Sequence, residues 1–171
     1  DNLIQPHHGS PFSIRDAIEA LADGHDVYGA SPQMFTDWRW YKVLHGDERA
    51  YNARAVEQYL SSLHNLLDHR ELHPPRDPEH NLALLAHTDA IFELERDFRR
   101  TRDSVRVTEI GERLEAVIAD VATVSGATAA SLQAFLDALR AGITPDRPPD
   151  MGAFAPLFGR GQQYLSFLRR W

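Results

Sequence analysis

Residues 77–121 read DPEHNLALLAHTDAIFELERDFRRTRDSVRVTEIGERLEAVIADV, and apolar side chains recur there at steps of three and four. Asp77 followed by Pro78 supplies an N-cap and a first-turn proline, and Leu84, Ile91, Leu94 and Phe98 line one face as far as about Arg100. Ser104 then caps a second helix, with Val107, Ile110, Leu114, Val117 and Val121 on one face and Gly126 at its end. Two long amphipathic helices with a short join must bury their faces against each other or against a third. This reading decides the fold.

Upstream, residues 47–72 carry Val56, Leu60, Leu63 and Leu67 at steps of four, three and four, which predicts a long helix closed by the proline-rich 73–78. Ser31-Pro32 predicts the start of another, running through Asp37-Trp38-Arg39-Trp40-Tyr41 to Gly46. A short first helix, Ser13 to Ala22, opens with the Ser13-x-x-Asp16 capping pair and stops at Gly24. Downstream, about Ala129 to Ala141 forms a helix and the proline-rich 142–150 a linker. Phe154, Leu157, Tyr164, Leu165 and Leu168 then predict a last helix, interrupted near Pro156 and Gly159. No run of alternating β-branched residues argues for a sheet. The expected fold is all-α: an antiparallel bundle of three long helices whose ends are closed by shorter ones, in a single domain over 1–171 with a tail at 1–12.

Composition bounds the function. The chain has 171 residues, 43% hydrophobic and 25% charged, enough to fold around a core without disulfides. A net charge of −7 opposes phosphate backbones and anionic membranes, so nucleic acid is a disfavoured partner. No apolar run is long enough to span a membrane, and residues 1–10 lack the pattern of a signal peptide. The chain opens on Asp rather than Met, so residues upstream could be missing. Absence of cysteine fits a reducing cytoplasm. Of 18 basic residues 17 are arginine, with Lys42 the exception, a skew typical of a GC-rich bacterial genome.

Unrolling each helix at about 100° per residue shows which polar side chains share an apolar face. His87 falls inside the arc of Leu84, Ile91, Leu94 and Phe98, where its ring should be buried. Asp37 falls between Tyr41 and Leu44 on an inward arc, and an ionised carboxylate there needs a partner. His64 lies at the border of an apolar arc, in a polar stripe with Glu57, Ser61 and Asp68. Asp37, Trp38, Tyr41, His64 and His87 are therefore the candidate site, a pocket for a small organic ligand with Asp37 orienting or charging a histidine. The plainer alternative is a set of buried hydrogen bonds that only satisfies polar groups. No cofactor is indicated. A helical metal site needs Glu-x-x-His pairs, none occurs, and His80 and His87 stand roughly 10 Å apart along one helix.

Two other functions compete with ligand binding. Phe12, Phe154 and Phe158 could cover a partner surface in an interaction domain or homo-oligomer. Residues 120–136, DVATVSGATAASLQAFL, place Ala122, Gly126, Leu132 and Phe135 where a small residue, a turn and two core contacts are required. The segment resembles the helix-turn-helix of bacterial repressors, which implies that Thr128, Ser131 and Gln133 reach base edges. Its would-be recognition helix has no Arg or Lys before Arg140 and carries Asp137.

Overall fold

A computed structural model describes residues 13–34, 51–142, 152–157, 159 and 164–170, and all structural statements below concern these. They fall into two compact units, one from residues 1–63 with 160–171 and one from 64–159. The described residues are mostly helical, with five helices and one small two-stranded sheet, and no described helix is long and apolar enough to cross a membrane.

In the first unit, α1 (Ile14–Leu21) buries Ile14, Ala17 and Ile18. Its capping box is complete: the Asp16 amide donates to Ser13 Oγ at 3.1 Å and the Ser13 amide to Asp16 Oδ2 at 2.8 Å. Next comes β1 (His25–Ser31), antiparallel to β2 (Tyr164–Arg169), with His25 opposite Arg169, Ser31 opposite Tyr164, and a register shift between Val27 and Gly29. Asn52 of α2 (Tyr51–Ser62) serves β1 as a neighbouring strand would. It accepts from the Val27 amide and donates to the His25 carbonyl, both at 3.0 Å.

In the second unit a 3-10 turn, Leu63–Leu66, leads through an irregular segment to α3 (Pro78–Thr101), α4 (Ser104–Val121) and α5 (Gly126–Ala141). Asp77, Asp103 and Ser125 are the N-caps. Packing of α3 on α4 and α4 on α5 buries Leu84, Leu114, Val117, Val121, Leu132 and Leu136 in one core. Phe154, half-buried, stacks on Phe135 with ring centroids 4.6 Å apart and packs against this core. Phe12 and Phe158 lie outside the described residues.

Three sequence expectations are corrected. The all-α expectation gives way to a fold with a sheet: 164–169 is a strand, not the last helix, because Leu165 and Phe167 turn inward at period two and pair with a distant segment. Ser31 closes β1 instead of capping a helix, and the body of the helix expected after it, 35–46, lies outside the described residues, as does the linker at 143–150. The long helix expected over 47–72 ends at Ser62, because the Asn65 and Asp68 side chains take over backbone groups.

Candidate functional site

Residues 64–76 are held by their own side chains before they meet a helix. The His73 amide donates to Asn65 Oδ1 at 2.8 Å, while Asn65 Nδ2 donates to the His73 carbonyl at 3.1 Å. Asp68 turns the chain by accepting the Arg70 amide at 2.9 Å, and the Arg70 guanidinium grips both carboxylate oxygens at 2.9 and 2.7 Å. Arg76 donates Nε to Asn81 Oδ1 at 2.6 Å and Nη2 to Asp120 Oδ2 at 2.7 Å, tying the segment to α3 and α4.

Against this segment lies the start of α5. Thr128 Oγ1 donates to Asp68 Oδ2 at 2.9 Å, and Arg70 Nη2 to Ser131 Oγ at 3.3 Å. Ser125 donates its hydroxyl to Glu71 Oε2, the atom that also faces His73 Nε2 at 3.0 Å. Between segment and helix is a hollow of about 20 Å³, room for one water-sized group, bordered by His64, Asp68, Glu71, Arg76, Ser125 and Thr128.

His64 is the exception among these bonded groups. Its ring is buried, with Nδ1 3.2 Å from Asn81 Nδ2, while Nε2 is buried without a hydrogen-bond partner of proper geometry among the described residues. Burial pushes the His64 pKa below its ordinary value, and the Arg76 and His73 charges push the same way. The Asn81 contact and the nearby Pro74 carbonyl oppose them without prevailing. The carboxylates go the other way. Arg70 hydrogen bonds hold Asp68 well below the usual range, and the Ser125 hydroxyl lowers Glu71. At neutral pH the hollow is walled by the neutral His64 imidazole, two carboxylates, the Arg76 guanidinium and the His73 ring that Glu71 holds.

Of the predicted site residues, His64 lies at this hollow, and Asp37, Trp38 and Tyr41 lie outside the described residues. His87 is not brought to it. Expected to be buried, His87 is half-buried and borders an open trough between α3 and α4 with Ala90, Leu94, Glu109, Glu112 and Arg113.

Sequence reasoning missed Asn81, Glu71, His73 and Arg76. Asn81 had a signal: it stands three residues before Leu84 on the inward face of α3 and is fully buried. Thr128 and Ser131, expected to reach base edges, are buried instead, Thr128 on Asp68 and Ser131 on the Ala127 carbonyl. Gln133 bonds Asp137 one turn on. Among the described residues no group of three His, Asp or Glu side chains could hold a metal ion. No protein-family model matches the sequence, and no curated protein and no solved structure is significantly similar to it.

Proposed function

We propose that the chain is a small-molecule-binding protein, and that a polar ligand inserts its terminal group into the hollow beside His64. One observation carries the reading: a buried ring nitrogen without a hydrogen bond of proper geometry borders a water-sized space whose other polar walls are already hydrogen-bonded. A buried polar atom left unsatisfied costs about 1–3 kcal/mol, which a ligand atom can recover. Binding fits better than acid/base catalysis, since Asp68 and Glu71 are held as poor bases by the groups that grip them. The same reading takes α3, α4 and α5 as an antiparallel bundle, which their short joins and shared core favour, and places the cysteine-free chain in the cytoplasm.

The test is a titration of the ¹⁵N-labelled protein with single small compounds, formamide, urea, formate, acetate and inorganic phosphate, followed by amide shifts. At least one should give saturable shifts centred on His64, Asn65 and Ser125 that vanish in His64→Phe with the remaining spectrum preserved. No saturable response at these amides from any of the five would end the proposal.

A second reading, an interaction domain or homo-oligomer, is favoured by the trough between α3 and α4. Its floor of Ala90, Leu94 and Ala116 is apolar, while Glu93, Glu109 and Glu112 rim it. Concentration-dependent sedimentation supports that reading, and a strictly monomeric species that captures no partner argues against it.

A further inference from the structure

Resting on the reading of the hollow as a ligand position, we infer that His64 presents an N–H donor there, and that the matching ligand is a neutral carbonyl or amide oxygen rather than a metal cation or a carboxylate. A guanidinium has only donors, so the Asn81 atom 2.6 Å from Arg76 Nε must be the amide oxygen. The Asn81 nitrogen therefore faces His64, and at 3.2 Å it donates to Nδ1. A ring nitrogen that accepts carries no proton, so the neutral imidazole keeps its proton on Nε2. Burial and the Arg76 charge keep the ring neutral near pH 7.

Nδ1 is committed to Asn81, which does not border the hollow, so Nε2 is the atom left for a ligand. A metal would need the opposite arrangement. A ligating histidine offers the lone pair of one nitrogen and donates the proton of the other to an acceptor, whereas here the other nitrogen already faces a donor. The charge of the walls then separates the oxygen ligands. Asp68 and Glu71 are both ionised, Arg76 is shared with Asp120 and His73 with Glu71, so the hollow has no cation to spare for an anion. A carboxylate would be repelled and a neutral carbonyl would not.

Formamide and formate are close in size and differ in charge, which makes them the discriminating probes, with Zn²⁺ as the third. The first measurement is the long-range ¹H–¹⁵N spectrum of the wild-type protein near neutral pH, which reports the His64 tautomer; the Nε2–H form is expected. Formamide should shift the His64 ring signals saturably, formate should need about tenfold higher concentration or more, and Zn²⁺ should leave them unmoved. Asn81→Asp places an acceptor at Nδ1, so the neutral ring should carry its proton there, leaving Nε2 without one and abolishing the formamide response. An Nδ1–H or a charged ring in the wild type, or Zn²⁺ or formate binding at His64 ahead of formamide, overturns the inference and leaves the binding site standing. If none of the three disturbs His64 the inference falls, and if urea, acetate and phosphate leave it undisturbed as well, the hollow is no ligand position, its Nε2 proton being turned to the Pro74 carbonyl, and both readings fall.

Discussion

Asp68 and His87 make a useful contrast at the scale of single residues. Asp68 is buried and accepts hydrogen bonds from the Arg70 amide and guanidinium and from Thr128, so Asp68→Asn loses charge-assisted bonds and leaves a donor facing donors. A cost of about 2 kcal/mol is expected in urea unfolding followed by circular dichroism. His87→Leu, on the half-buried wall of the trough, should change stability by less than about 0.5 kcal/mol, and a loss of several kcal/mol would mean that the ring has a buried partner after all. In the sequence His64 was legible because a helical wheel set it beside apolar residues. Glu71, His73 and Arg76 were not, since they belong to no periodic element. Their side chains converge through Asx-type turns and contacts reaching as far as Asp120 and Ser125, and neither periodicity nor spacing encodes those.

At the scale of elements two glycines respond in opposite ways to the same methyl group. Gly111 lies inside α4, where a Cβ would sit 3.6 Å from Leu136 Cδ1, an ordinary contact. Gly111→Ala should therefore stabilise the protein by about 0.5–1 kcal/mol through helix propensity. A Cβ on Gly159 would stand 2.9 Å from the Leu66 carbonyl oxygen, a backbone atom that cannot step aside, so Gly159→Ala should lower the melting temperature. Thermal unfolding of the two variants beside the wild type checks both signs. Helices with side-chain punctuation were legible: the Ser13 capping box and the Asp77-Pro78 start of α3 stand where the sequence put them. The strands were not. Tyr164-Leu165-Ser166-Phe167-Leu168-Arg169 has enough apolar residues for either period, and its partner 25–31 is interrupted by Gly29 at the bulge, so pairing across more than 130 residues decides what local pattern cannot.

For the whole molecule the shifted groups predict how stability varies with pH. His64 titrates lower in the folded chain than its ordinary 6.5, so the unfolded chain takes up its proton first, and stability present above that pH declines as the solution is acidified below it. Glu71, Asp68, Asp97 and Asp16 are likewise lowered, from ordinary values of 4.5 for Glu71 and 3.8 for the aspartates, and add a steeper loss below those values. Asp89, raised by burial, opposes them weakly, and Tyr59, raised for the same reason, makes stability fall again above 10.0. Urea midpoints should thus form a plateau between about pH 7 and 10, and His64→Phe should flatten the shoulder on its acid side while leaving the carboxylate limb in place. The bonds of Asp68 to Thr128, Arg70 to Ser131 and Glu71 to Ser125 span 60, 61 and 54 residues, and α3 and α4 lie wholly within each span. A closure of that length gains nothing until the enclosed helices have paired, so the clasp belongs to the final descent of folding rather than to its nucleus. In stopped-flow experiments Asp68→Asn should leave the refolding arm of the chevron where it is and displace the unfolding arm upward, whereas Leu114→Ala, inside the α3–α4 pairing, should slow refolding; the reverse assignment would make the clasp the first long-range contact to form.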